Sequence, residues 1–267
     1  MPIPQDQLAD LAYRTTIDGF RDLARSSRTG IVHEENGVVM WAAPHPAPLL
    51  ANGAARLDPT ADAHGALSRA KEFFGGRGTG FSFYGRAGVD DDVIRAADDV
   101  GMIAFGEGSP LMAVNGPPAS IDVPDGVRIE HAQTEQHVRD FADVCADAYA
   151  VYGLPEDLFP ALLTPETVFG SHHSLHVAYD SEGPVGGGFV IATHGCAYVC
   201  VIGVRQRAFK RGIGAAVTQA ATAAGFELGA RVATLMASPM GAPVYRRIGW
   251  SDVAVMHSRM AFAPTDA

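Results

Sequence analysis

Apolar positions in the second half of this chain follow two periods. Val138, Phe141, Val144, Cys145 and Ala148 recur at helical spacing and predict a helix over residues 134–152. Short apolar runs bounded by turn formers predict strands over 127–130, 174–179, 187–193, 197–204, 232–236 and 253–262. Turns are expected at Ser181-Glu182-Gly183-Pro184 and at His194-Gly195. After the strand at 197–204, Lys210-Arg211-Gly212-Ile213-Gly214 reads as a turn that opens an alanine-rich helix. Ile213, Val217, Ala220 and Ala224 are its expected buried stripe, and Gly229 its expected stop. Shorter helices are expected near 158–163 and over 242–248.

The first half echoes the end of that order. Residues 29–33 and 37–43 predict a hairpin, 63–73 a helix, 80–84 a strand, and 91–100 a helix that ends at Gly101. Apolar strand material follows at 102–105 and 111–114. A cluster of turn formers at 115–126 reads as a linker, which puts one domain at residues 1–120 and a second at 125–267.

A strand that feeds a glycine turn and then a helix aims successive backbone N–H groups at one anion, and the helix dipole adds partial positive charge there. Gly212 and Gly214 let a ligand approach that backbone without a Cβ in the way. The run from Gly75 to Gly80 has the opposite order. It follows a helix and enters the strand Phe81-Ser82-Phe83, so it reads as an ordinary turn, and one cofactor site is expected.

The segment Val204-Arg205-Gln206-Arg207-Ala208-Phe209-Lys210-Arg211-Gly212-Ile213-Gly214-Ala215, followed by Leu235-Met236-Ala237-Ser238 and Tyr245-Arg246-Arg247-Ile248-Gly249-Trp250, resembles the GCN5-related (GNAT) N-acyltransferases. The resemblance covers roughly residues 127–262. Phe209 stands where the family's turn carries Gln or Arg; that removes a side chain and keeps a backbone amide. The resemblance implies an α/β fold of two GNAT-like domains, each a mixed, mostly antiparallel twisted sheet flanked by helices, with the N-terminal one degenerate.

It also implies acetyl-CoA as cosubstrate and direct attack by an amine acceptor, without a covalent enzyme intermediate. Ile202, Gly203 and Val204 would offer backbone to the pantetheine, and Gly203 close approach, a bulge or a packing constraint being the alternative. Phe209, Lys210, Arg211, Gly212, Ile213, Gly214 and Ala215 would hold the pyrophosphate. Ser238 would bond the pantetheine or cap the next helix. Tyr245 would protonate the departing thiolate, since a phenol's pKa lies not far above a thiol's, or else pack its short helix. Asp147, Glu156 and Asp157 flank the acceptor side and read as a solvated face; Tyr149, Tyr152 and Phe159 line the pocket or its core. No carboxylate lies between Cys196 and Val204 to act as base, and His172, His173, His176 and His194 read as surface or packing residues. The rival reading is a catalytically inactive CoA-binding or sensing module. A nucleotide triphosphate enzyme is disfavoured, because no Gly-Lys-Ser/Thr follows the turn.

Composition narrows the partners. The 267 residues are 47% hydrophobic, enough to bury a substantial core. A formal net charge of −10 argues against nucleic acid and slightly favours a cationic or amine substrate. Three cysteines (Cys145, Cys196 and Cys200) argue for a reducing cytoplasm rather than a disulfide framework, and no metal site is expected. Neither a signal peptide nor a membrane span is expected. The acceptor amine and the oligomeric state stay open, a homodimer among the options.

Overall fold

The computed structural model describes residues 3–263. The outermost residues of both expected domains, 1–2 and 264–267, lie outside the described residues. In chain order the elements are α1 (Gln5–Ser26), β1 (Ile31–Glu35), β2 (Val38–Ala42), β3 (Asn52–Arg56), α2 (Ala63–Gly75), β4 (Phe81–Arg86), α3 (Asp91–Asp99), β5 (Ile103–Ala104) and β6 (Ser109–Asn115). They continue with β7 (Arg128–His131), α4 (Glu135–Tyr149), α5 (Leu158–Leu162), α6 (Pro165–Val168), β8 (His173–Asp180), β9 (Gly183–Thr193) and β10 (Cys196–Val204). The last are α7 (Ile213–Glu227), β11 (Val232–Met236), α8 (Ala242–Arg247) and β12 (Ser251–Ala261). Among the described residues no helix is long and apolar enough to cross a membrane.

The chain forms two compact units. One comprises the chain up to Gly19 together with Leu111–Val253; the other comprises Phe20–Pro110 together with the chain from Ala254.

In the first unit the sheet runs β6-β11-β10-β9-β8-β7. Neighbours are antiparallel except β10 and β11, which are parallel and joined by α7. A Cβ at Gly187 would strike the Phe141 ring of α4, and one at Gly188 would meet the Val217 carbonyl of α7. Successive strand residues point to opposite faces, so α4 and α7 cover opposite sides of the sheet. Thr134 caps α4 by accepting from the His137 N–H. At its other end α7 stops as glycine allows: Gly229 takes φ +96°, its N–H bonds Phe226 O, and the Ala230 N–H bonds Gly225 O. The buried stripe of α7 uses Ala221 where Ala220 was expected; Ala220 is half-buried. The first turns of α1 belong here. Leu8 packs with Ala113, Cys196 and Val232, and Thr15 bonds Thr234 at 2.8 Å.

The second unit has the order β1-β2-β3-β4-β12, with β5 on β12. β3 and β4 are its parallel pair, joined by α2. Phe74, Phe81, Phe83 and Val93 anchor its core, and Phe20, Trp41 and Tyr84 form an aromatic cluster.

Each unit therefore contains a strand, a helix and a parallel strand, and closes with an antiparallel strand from the other half of the sequence. β6 pairs with β11, and residues 256–261 of β12 pair with β4. A division at residues 120–125 does not follow these units. The inner strand β11 needs an antiparallel neighbour for its N–H and C=O groups, and β6, which precedes the linker, supplies it.

Candidate functional site

The site sits where β10 and β11 part. Their parallel register lasts three pairs, from Cys196↔Val232 to Tyr198↔Thr234. Beyond Tyr198, β10 continues beside β9 to Val204, while β11 continues beside β6 to Met236. Between Cys200 and Gly203 the β10–β9 register slips: Val201 and Ile202 oppose Gly188 alone, and Val201 takes φ +48°. Such a β-bulge bends the strand that carries it, just past the point where β10 and β11 part.

The last turn of α4 holds the parted strand. Tyr149 donates its hydroxyl to Ile202 O at 3.2 Å. Asp147 accepts from the Gln206 N–H at 2.7 Å, and the Gln206 side chain donates back to Asp147 O at 2.9 Å. A Cβ at Gly203 would sit 3.1 Å from Cys145 Sγ. Gly203 thus keeps room for α4, a packing constraint, and the bulge itself falls at Val201.

From Val204 the chain passes through Phe209 into the glycine turn. Lys210 and Gly212 take φ +65° and +83°, and Gly212 is the N-cap of α7 without any side-chain capping bond. The first helical bond back to the cap is Ala216 N–H to Gly212 O. Among the described residues, the N–H groups of 212–215, at the start of α7, have no backbone acceptor. Gly214 lies inside that first turn, where a Cβ would make only ordinary contact with Val204 at 3.6 Å. Ile213 is buried against Ala178, Val185 and Val217 and fixes the helix start.

Tyr245 lies on α8, buried, with its ring 6.4 Å from Trp250. Burial pushes its phenol well above the ordinary value, nearby Tyr152 adds to this, and a bond to Thr218 of α7 opposes it. Tyr149 is raised likewise, mainly by burial and partly by Cys145 and Tyr245, so these tyrosines share one neighbourhood. Tyr149 also packs on Phe159, centroids 4.7 Å apart. Ser238 accepts from the N–H of Gly241, the residue that precedes α8, at 3.1 Å, and its own O–H remains available as a donor.

The histidines lie elsewhere. His173 is level with Ile191 and through it with Tyr198, at the far end of β10 from the glycine turn. His176 faces His131 at 5.4 Å and Ser174 at 3.2 Å, and burial lowers its pKa to about 4. His194 is exposed, 3.4 Å from Asp18. The three cysteines are buried thiols, and burial raises Cys145 and Cys196, the latter to about 11.

One residue that the sequence pattern does not mark is Asp180. It ends β8, and its side chain is 5% exposed. It accepts two bonds from Arg207 and one from Arg211, each at 2.9 Å. These partners lie 27 and 31 residues away, so no local signal reveals it.

The equivalent crossover of the second unit is filled by its own side chains. Asp62 caps α2 by accepting from the Gly65 N–H at 2.6 Å, placing a carboxylate where α7 has a bare glycine. Arg56, at the end of β3, is buried and bonds Asp90, Asp92 and Ala61 O. The Gly75–Gly80 run is a helix end: the Arg77 and Thr79 N–H groups bond Phe74 O.

The fold is that of the GCN5-related N-acetyltransferases. One similar solved structure is a GCN5-related N-acetyltransferase from Kribbella flavida, with TM-score 0.70 and 20% identity over 96% of this chain and 95% of that one. Another, from Sphaerobacter thermophilus, has TM-score 0.62 and 18% identity over 87% and 82%. A tandem GNAT protein from the clavulanic acid biosynthesis pathway aligns over 100% of this chain and 99% of its own, with TM-score 0.58 and 12% identity. No family model and no curated protein matches the sequence.

Proposed function

We propose that this protein is an acyl-CoA-dependent N-acyltransferase that moves an acetyl group from acetyl-CoA to an amine. The observation that carries the reading is the parting of β10 from β11 directly upstream of an uncapped helix. Unpaired strand backbone suits the pantetheine amides, and bare N–H groups at a helix start suit a pyrophosphate. Ile202, Gly203 and Val204 take the first role. Phe209, Lys210, Arg211, Gly212, Ile213, Gly214 and Ala215 take the second, with Lys210 as the cation of the turn that has no carboxylate partner among the described residues. Ser238 donates its hydroxyl to the same ligand.

The chemistry of the chain's own groups is limited and specific. The amine attacks the thioester carbonyl directly, and Tyr245 supplies the proton to the leaving sulfur. Its raised pKa keeps the phenol protonated at neutral pH, as a proton donor must be. The amine loses its proton to water. The acceptor is a small-molecule or peptide amine, the protein is cytoplasmic, and it engages neither nucleic acid nor membrane. The second unit is a degenerate copy of the same domain, without a cofactor site of its own.

Release of free thiol from acetyl-CoA, followed across a panel of amines, tests the reading. Tyr245→Phe is expected to lower kcat roughly 10²-fold with little change in acetyl-CoA affinity. Equal turnover would remove Tyr245 as the acid. The inactive-module reading draws on the same burial, because a phenol pushed upward is a weaker acid. It predicts acetyl-CoA binding with no thiol release for any amine.

A further inference from the structure

We propose that Asp180 is a positioning residue for the glycine turn, acting from outside the motif. Three arginines lie in or just before that turn, and the β8–β9 hairpin holds all three. Arg205 donates to Pro184 O at 2.9 Å. Arg207 makes a two-pronged pair with Asp180, with Glu182 3.6 Å away, and Arg211 joins the same Asp180. The Asp180 carboxylate is steadied in turn by the Glu182 N–H at 3.0 Å.

Geometry separates this from a surface ion pair. Asp180 is nearly fully buried, whereas Arg207 and Arg211 are 33% and 41% exposed. A buried carboxylate paired in a planar, two-bond arrangement fixes direction as well as distance. The arginine bonds hold its pKa far below the usual carboxylate range, so it stays charged at every working pH. Arg211 belongs to the turn itself, one residue before the left-handed Gly212. Tying Arg211 and Arg207 to one point sets the path of the chain between β10 and α7, and hence the direction of the N–H groups at 212–215.

The same contact has an electrostatic consequence. Asp180 offsets the charge of two arginines that would otherwise face an incoming anion. Removing it therefore has two opposed effects: attraction rises, and the N–H groups lose their common aim. The proposal is that orientation dominates. It rests on the cofactor-site reading above.

The test is calorimetric titration of acetyl-CoA into wild-type protein, Asp180→Asn and Arg207→Gln, with thermal melts of each. Asp180→Asn is expected to bind at least 10-fold more weakly, with KM for acetyl-CoA raised and kcat nearly unchanged. Arg207→Gln, at a half-exposed position, folds even if the buried change does not, and is expected to weaken binding in the same direction. The double variant is expected to be no worse than the weaker single one, because both cut the same tie. A merely structural role would lower the melting temperature without separating KM from kcat. Unchanged or tighter binding in folded Asp180→Asn or Arg207→Gln overturns the proposal and leaves the cofactor site standing. No binding by folded wild-type protein overturns both.

Discussion

Cutting the chain at its linker is expected to destroy the half that carries the site. A fragment of residues 125–267 retains the glycine turn and every residue of the proposed site, yet it lacks β6 and α1. Three side chains set the scale. Leu111 and Met112 of β6 are fully buried, and Leu8 of α1 packs on Ala113, Cys196 and Val232. Each contributes about 1.5–3 kcal/mol through burial, so roughly 5–9 kcal/mol is lost. A whole domain is stable by only about 5–15 kcal/mol. The fragment also exposes the β11 edge that β6 pairs over five residues, from Val232↔Asn115 to Met236↔Leu111. Circular dichroism with urea titration is the assay. The fragment is expected to show no cooperative transition, and extension back to residue 109 is expected to restore part of one. A fragment of 125–267 that unfolds cooperatively at the full-length midpoint would refute the exchange of strands as a source of stability.

Further outcomes concern packing and pH. A Cβ at Gly225 would lie 2.3 Å from that of Ala197, so Gly225→Ala is expected to destabilise by about 2 kcal/mol in chemical denaturation despite its gain in helix propensity; a more stable variant would show that α7 does not press on β10 there. His176 has a folded pKa of about 4 against an ordinary imidazole value of 6.5, so between these values the unfolded chain binds the extra proton. Stability is therefore expected to fall as pH drops from about 6.5 toward 4, and His176→Gln to flatten that slope in melts across the range; an unchanged slope would clear His176.

What the sequence makes legible follows from where the stabilising contacts lie. α4 has its cap and apolar stripe within one segment, and β11 is a clean apolar run, so both are readable from local pattern. The glycine turn is readable because φ > 0 and bare amides have their own residue signature. α1 is not, although it is the longest helix. Its buried face carries Thr15 and Thr16, which read as polar; their hydroxyls bond the carbonyls of Leu11 and Ala12 one turn back. β3 is hidden for another reason. Asn52-Gly53-Ala54-Ala55-Arg56 has no β-branched residue, and it is a strand because a Cβ at Gly53 would lie 2.3 Å from the Trp41 ring and both alanines are fully buried. Gly203 is legible as a position that needs a glycine, but the α4 residue that requires it, Cys145, is remote in sequence. Asp180 and the pairing of β6 with β11 depend on contacts remote in sequence, which no window of the chain contains.

The central claim is that the uncapped start of α7 holds the pyrophosphate of acetyl-CoA, and calorimetric titration of wild-type protein beside Gly212→Asp tests it most directly. Gly212 has φ +83°, and a Cβ there meets only Pro124 at 3.5 Å. The aspartate therefore costs about 1–2 kcal/mol of backbone strain and leaves the protein folded. Its carboxylate would occupy the bare N–H groups as Asp62 does at α2. The account predicts saturable one-to-one binding by the wild type, lost in a folded Gly212→Asp protein. Equal affinity in the two, or no binding by folded wild-type protein, would contradict it.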